Sequence, residues 1–456
     1  MIKYSQYSTP VGLHPLQIEV TITAPNTTAT LPLYSAAGYY HTFRVNYGDE
    51  SGDKAVTTYN DADATHIYAN AGIYILSITG LCESFHNEYG VTLKPLITRV
   101  ISWGNTGIKR VGLSECTNLT SIPNDEYKAF STVIYALNFC KDNVNLASIP
   151  PNIFKYMTIN TDFRYIFNNC DALTEIPAGL FDTCVEALDF TLAFGNGQLG
   201  GAQITTIPDH LFDKCTKVTN FWGVFMYSEA LTAIPPEIFK YNTEVTNMAQ
   251  IFWGDRFIDH IPTGLFDTNT KVTNFWGTFT DIYNGNPPAH LFDNCPLATT
   301  FYRCFETCIH LDTIPAELFK YNTLVTNFER CFWEVSDLTL IPTGLFDTCT
   351  EVTNFKEVFS WNNYITSIPA GLFANCTKVI YFDGAFSYCT GLTSIPINLF
   401  ANCPLVISYA LAFQGDTALT GNAPALWDLD PEPTGTECFH GATGLTNYAA
   451  IPADWK

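Results

Sequence analysis

Fifteen cysteines and a few acidic residues are the parts of this sequence whose types and spacing could do chemistry. Thiolates bind zinc, form disulfides or act as nucleophiles. Cys304 and Cys308 are spaced like a helical ligand pair, and His310 is the nearest imidazole. No Cys-x-x-Cys occurs to complete a tetrahedral set. Asp259 and Asp312 fall in one column of a repeat, two periods apart, with His260 beside the first. Paired carboxylates at such a spacing suit an inverting glycosidase. Nothing in their surroundings marks one as a protonated acid, and no nucleophile elbow, phosphate loop or zinc motif is present, so the sequence predicts no enzyme, no cofactor and no metal centre. Asp49, Glu50 and Asp53 offer oxygen ligands to Ca²⁺, but a solvated turn is the simpler reading of them.

Aromatic residues form the other candidate set. Trp222, Trp253, Trp276, Tyr302 and Trp333 come from five consecutive periods, each fourteen or eighteen residues after a recurring proline. Trp and Tyr give large contact area at low entropic cost, so they could form a strip for sugar rings or a protein partner, or else pack period against period.

The recurring proline defines the elements that must position these residues. It falls at 123, 150, 177, 208, 235, 262, 288, 315, 342, 369, 396, 424 and 452, with intervals of 27 residues almost throughout. A fixed period in this range is the signature of a solenoid. Leu/Ile and Phe follow three and four residues after the proline, as at Leu345-Phe346; Val, Phe and Phe follow at ten, thirteen and seventeen, as at Val352, Phe355 and Phe359. Offsets of 3 and 4 predict an α-helix with one apolar face, entered at a Thr such as Thr216, Thr270 or Thr350. The Leu-Thr-x-Ile segment before the proline predicts a short strand carrying an outward ladder of Thr and Ser. Each period is therefore expected to be a strand, a turn and one helix. No period buries enough surface to fold alone, so neighbouring coils must cover one another.

The cysteines then obtain a structural meaning. Seven residues after the proline stand Cys184, Cys215, Asn242, Asn269, Cys295, Asn322, Cys349, Cys376 and Cys403; seven before it stand Cys116, Cys170, Cys308 and Cys389. Cys and Asn share small size and the ability to donate to a backbone carbonyl. Buried, reduced thiols are expected.

Ahead of the repeats the pattern differs. Ile18-Glu-Val-Thr-Ile-Thr and His41-Thr-Phe-Arg-Val-Asn-Tyr47 alternate apolar and polar residues, Gly48-Asp-Glu-Ser-Gly-Asp53 forms a turn, and Tyr74-Ile-Leu-Ser-Ile-Thr-Gly80 follows as a strand,. An all-β sandwich is the economical reading. The run Phe43 to Ser51, with His66-Ile-Tyr68 and Gly72-Ile-Tyr74 downstream, resembles the PKD domain of the immunoglobulin-like class, with Glu50 in place of that family's second turn glycine. The resemblance implies a spacer or binding module.

The repeats, reading Leu-Thr-x-Ile-Pro-x-x-Leu-Phe-x-x-Cys-Thr-x-Val-Thr-Asn-Phe-x-x-x-Phe-x-x-Cys, resemble BspA-type leucine-rich repeats of bacterial surface and gut-phage proteins over about 114–456. They depart from the pattern around Gly195 to Gly201, at Asn286-Pro287-Pro288 and from Gln414 to Thr436. The resulting organisation is an arm over 1–16, a PKD/immunoglobulin-like β-sandwich over 17–90, an N-terminal cap over 91–122, an α/β leucine-rich-repeat solenoid with parallel strands over 123–423 and a C-terminal cap over 424–456. The family resemblance implies adhesion or recognition.

Charge and leader signals narrow the setting. With 22 basic and 44 acidic residues the net charge is −22, which repels phosphate backbones and argues against nucleic acid,. No run of about 18 apolar residues would span a bilayer. The first residues hold no apolar run of signal-peptide length. Many proteins that the repeats resemble carry signal peptides, so the resemblance implies a component of a phage particle, as a recognition protein or as a structural decoration or connector, rather than a cell-wall adhesin. The expected partners are a host-surface glycan or protein, other virion proteins through the N-terminal region, and a second copy of the chain.

Overall fold

The computed structural model describes residues 14–34, 38–86, 92–197 and 203–456. The expected arm lies, up to residue 13, outside the described residues, as does most of the insertion near Gly201. The chain forms two compact units, Met1–Val218 with Tyr227–Ala230, and Thr219–Met226 with Leu231–Lys456.

The first unit opens with β1 (Leu16–Ile22), β2 (Thr27–Thr30), β3 (His41–Asn46), β4 (Asp53–Val56), β5 (Thr65–Tyr68) and β6 (Gly72–Cys82). It continues with β7 (Ser84–His86), β8 (Ile97–Ser102) and β9 (Arg110–Gly112). Alternation in β1 puts Leu16, Ile18, Val20 and Ile22 inside. The antiparallel order β4-β3-β6-β1-β8 makes one sheet, and β2 with β5 makes a second. Tyr68 of β5 is fully buried and donates its hydroxyl to the Tyr47 carbonyl, 3.0 Å away. At Gly80, φ is +116° and a Cβ would meet the Thr42 carbonyl at 2.7 Å, so glycine alone lets β6 pass β3 this closely,.

Two links join these strands to the repeats, one through the large sheet and one through a third, two-stranded sheet of β7 and β9. β8 pairs antiparallel with β1 and, through Arg99, bridges in parallel to Ser121 of the first coil. β7 pairs in parallel with β9, whose Arg110 bridges to Tyr135. The coil ladders thus continue hydrogen-bonded rows that begin in the sheets.

The coils themselves correct the expectation of one helix each: among the described residues there is no α-helix. In the second unit the parallel bridges run Asn220, Asn247, Asn274, Thr300, Asn327, Asn354, Tyr381, Ser408 and Thr434. From Asn220 to Ser408 these residues lie two after the buried Val or its equivalent, inside the stretch expected to be helical. The strand expected before each proline contributes a thinner row, as where Thr393 N–H donates to the Thr366 carbonyl at 3.2 Å.

After the bridge residue the chain makes two successive tight turns. Positive φ recurs three and seven residues on: Arg330 (56°) and Glu334 (54°), Glu357 (51°) and Trp361 (65°), Gly384 (61°) and Tyr388 (59°). A right-handed helix needs φ near about −63° at every residue, so these positions break it. The inward positions of two consecutive turns repeat at 3 and 4, and Phe355, Val358 and Phe359 are all fully buried. The pattern therefore mimics a helix. Only alternate N–H groups stay inside the turns, as Val358 to Phe355 and Ser360 to Glu357; the others leave the coil, with Phe355, Glu357, Phe359 and Trp361 donating to Tyr381, Asp383, Ala385 and Ser387 of the next coil at 3.0, 2.8, 2.9 and 2.8 Å. With no helix to start, Thr216, Thr270 and Thr350 cap nothing.

Three columns of phenylalanine fill the core of the second unit. Phe346, Phe373 and Phe400 stack at 6.1 Å, Phe328, Phe355 and Phe382 at 5.7 Å, and Phe332 and Phe359 at 5.6 Å. Tilted contacts near 4.8 Å, as between Phe346 and Phe355, tie one column to the next. Offset and edge geometries of this kind suit the ring quadrupole.

All fifteen cysteines are buried and unbridged. In the column seven after the proline, Cys215 Sγ donates to the Cys184 carbonyl at 3.5 Å, and Asn269 Nδ2 to the Asn242 carbonyl at 3.0 Å. Asn322 Nδ2 reaches Cys295 at 2.9 Å, and Cys403 Sγ reaches Cys376 at 3.5 Å. The acceptor lies one coil back rather than inside the same turn. In the other column Cys170, Cys308 and Cys389 donate to Cys140, Phe279 and Phe359 at 3.0, 3.2 and 3.0 Å. Burial pushes the Cys349 and Cys403 thiols up to about 12, so these groups stay protonated donors,.

At the far end Glu437 and Phe439 donate, at 2.8 Å each, to the carbonyls of Asp454 and Trp455. The final residues thereby take the place of a following coil, and Trp455 is 1% exposed.

Candidate binding surface

The double turn after each bridge places its second, third, sixth and seventh residues on the side away from the phenylalanine core, where some, such as Ala249, Thr280 and Ser360, are still buried. Trp222, Trp276 and Tyr302 occupy the second position; Trp253 and Trp333 occupy the sixth. All five are half-buried. They form two columns, not one strip, because Ala249 separates Trp222 from Trp276, while Thr280 and Glu306 separate Trp253 from Trp333. Trp276 and Tyr302 stack at 5.8 Å with 25° between planes. Trp253 lies across the next coil, where a Cβ on Gly277 would stand 2.7 Å from its ring, so part of this ring serves coil-to-coil packing.

Charged residues missed by the sequence reading complete the face around Tyr302 and Trp333. The Arg303 guanidinium lies 5.1 Å from the Tyr302 ring centre, and that of Arg330 lies 5.5 Å from Trp333, within cation–π range. Between them sits Glu306, whose side chain is 8% exposed. Its Oε2 is 3.2 Å from Arg303 Nε and its Oε1 3.9 Å from Arg330 Nη1. The first contact is close but misaligned, and both Arg303 Nε and Glu306 Oε2 are buried without a hydrogen-bond partner. Arg330 Nε makes its short contact elsewhere, at 2.6 Å to Glu357 Oε2. Burial lifts the Glu306 carboxyl to about 7 against the pull of Arg303 and Arg330, with Glu357 and Glu334 adding to the rise,. The signal available in the sequence was positional: Glu306 stands eighteen after the proline, in the column of Trp253 and Trp333.

A second aromatic pair lies further along, with Trp361 stacked on Tyr388 at 4.3 Å. Both sit at the left-handed seventh position, a role that no helical reading exposes.

The other candidates are not brought into reactive arrangements. Asp259 and His260 are 81% and 67% exposed and meet each other at 3.3 Å. Asp312 is exposed and accepts from Asn286 Nδ2 at 3.1 Å. Cys304 and Cys308 are buried while His310 pairs with Asp337 at 2.9 Å. Asp49 meets His66 Nε2 at 2.7 Å, and Asp53 turns to Asn46 and Arg44. Among the described residues no group of three His, Cys, Asp or Glu is arranged to hold a metal ion, and no helix is long and apolar enough to cross a membrane.

No family model and no curated protein sequence matches the chain. Among solved structures, similarity extends to an internalin of Listeria monocytogenes, at 9% identity over 71% of this chain and 80% of that one, with a TM-score of 0.41. The functional domain of InlJ from the same organism, described as including a cysteine ladder, is 14% identical over 74% and 64%, with a TM-score of 0.40. A chain of the Drosophila Toll–Spätzle complex is 16% identical over 69% of this chain with a TM-score of 0.36; this chain spans about half, 47%, of its length. Similarity this low leaves function to be argued from the face itself.

Proposed function

We propose that this chain is a non-enzymatic recognition protein that binds a host-surface glycan or protein through the turn face of its second unit. The observation that carries the reading is the half-exposed Trp276–Tyr302 stack, flanked on the same face by Trp253 and Trp333 and by two guanidinium groups. Flat amphipathic rings beside forked donors suit sugars and protein hot spots alike. The setting we propose is the surface of a bacteriophage particle, with a bacterial cell-surface adhesin as the alternative; its support is the resemblance of the repeats to the BspA type. The Gly48–Asp49 turn and the His66 and Tyr68 packing support an immunoglobulin-like, PKD-type module at the N-terminal side. That module, tied by β8 to the first coil, is proposed to attach to neighbouring particle proteins.

The test is capture of whole bacteria and of immobilised cell-surface polysaccharide by the purified chain and by a Trp276→Ala, Tyr302→Ala double variant. Capture lost in the variant, with melting unchanged, is expected. Absence of capture by the parent chain overturns the reading. Labelling of particles and of source cells with an antibody to residues 366–396 decides between the two settings.

A further inference from the structure

The arrangement around Glu306 narrows the ligand class, an inference that rests on the recognition reading above. We propose that Tyr302, Arg303, Glu306, Arg330 and Trp333 form a subsite for a carboxylated sugar, whose carboxylate replaces the Glu306 side chain as the partner of the two arginines.

Three features of the geometry favour an acidic over a neutral sugar. First, the resident carboxylate is badly held: Glu306 and Arg303 approach to 3.2 Å yet leave Oε2 and Nε buried without hydrogen bonds, and the contact to Arg330 stretches to 3.9 Å. An incoming carboxylate can take the bidentate, in-plane geometry that guanidinium groups prefer and that Glu306, anchored three residues from Arg303, does not reach. Second, both arginines lie beside aromatic rings, Tyr302 and Trp333, so a sugar ring lying on an aromatic face would bring its acid substituent to the guanidinium. Third, Trp276 stacks on Tyr302 from the neighbouring coil, so the aromatic row beside the two guanidinium groups continues past the subsite.

Glu306 then acts as a displaceable internal competitor. The charged and titratable groups around it are Arg303 on its own coil, Arg330, Glu334 and Glu357 on the following coils, and Asp281 on the preceding one, whose N–H donates to the Glu306 carbonyl at 2.8 Å. Its carboxyl titrates near 7 in the free protein, so at and above neutrality it competes as an anion, and below neutrality it does not. A bound ligand carboxylate adds a like charge, raises the affinity of Glu306 for a proton and draws one from solvent. Binding should therefore tighten as pH falls from about 8 to about 6, with about one proton taken up per ligand near the upper end of that range.

The experiment is calorimetric titration of the full chain with sialyllactose, a hyaluronan tetrasaccharide and a galacturonate tetrasaccharide, each beside its carboxyl-reduced counterpart, in buffers of different ionisation enthalpy. At least one acid form is expected to bind about tenfold or more tighter than its reduced form, a difference of about 1.4 kcal/mol. Glu306→Gln should keep binding and lose both the pH slope and the proton uptake, while Arg303→Gln should lose the preference for the acid with its melting curve intact. Equal binding of acid and reduced forms overturns the subsite, as does an unchanged pH slope in Glu306→Gln. If no acidic sugar binds while Trp276→Ala, Tyr302→Ala still abolishes capture of cells, the subsite fails and the recognition face stands; if the parent chain captures nothing, the recognition reading fails first.

Discussion

The Val335 N–H donates to Oδ1 of Asn362, one coil on, at 2.9 Å, and Asn362 Nδ2 returns a bond to the Phe332 carbonyl at 2.7 Å. One amide thus clips two coils in both directions. The following coil puts Cys389 at this position and the next puts Asp416, which is fully buried with both carboxylate oxygens lacking a hydrogen-bond partner.

Asp416 is consequently the weak rung. Burial holds its carboxyl well above the usual carboxylate range. An acid raised in the folded state favours folding fully below its unfolded value, about 3.9, and that contribution is lost as pH rises toward the folded value. Asp416→Asn restores the two-way amide, so it should stabilise the chain at pH 7 by about 1–3 kcal/mol. The gain should shrink toward zero near pH 4. Thermal melts of both proteins across that range measure it, and a constant difference would contradict the assignment.

The other polar column makes a similar prediction with the opposite sign. Asn322 supplies the carbonyls of Phe292 and Cys295 at 3.1 and 2.9 Å. Asn322→Ala should therefore cost about 1–3 kcal/mol in urea unfolding, the scale of leaving buried acceptors unpaired. Asn322→Cys, which copies the residue found in neighbouring coils, should recover part of the loss.

Thiol chemistry offers an independent check. Every cysteine is buried, and burial raises the Cys295 and Cys349 thiols up to about 12. Because the thiolate is the reacting species, the native chain should stay unlabelled by a chromogenic disulfide reagent at pH 8, and all fifteen thiols should react after denaturation.

In the N-terminal sheets, Glu50 holds φ of 66°, a left-handed conformation that costs a side-chain-bearing residue about 1–2 kcal/mol,. Glu50→Gly relieves that strain while loosening the unfolded chain, for a net gain of about 0.5–1 kcal/mol. Chemical denaturation of the two proteins reads the difference; a loss would place the strain elsewhere.

The core predicts its own sensitivity. Phe355 stacks between Phe328 and Phe382 at 5.7 Å on each side and is fully buried. Phe355→Ala should cost about 3–5 kcal/mol in equilibrium unfolding. The far-ultraviolet dichroism of the parent chain should lack the double minimum of an α-helix, since its Phe355 and Phe359 segment is turn upon turn.

Much of this molecule was written in its order of residues. The 27-residue spacing of proline, the burial of Leu345-Phe346, Val352, Phe355 and Phe359, and the equivalence of Cys and Asn in one column follow from sequence, because in-register stacking forces each position to meet its own copy. Only the tertiary structure decided where the backbone hydrogen bonds go. Offsets of 3 and 4 fit both a helix and two consecutive turns, and the choice falls to the neighbouring coil, whose carbonyls accept from Phe355, Glu357, Phe359 and Trp361. That choice also set Glu306, three residues from Arg303 on its own coil, against Arg330 of the next coil, a meeting across coils that no local spacing expresses.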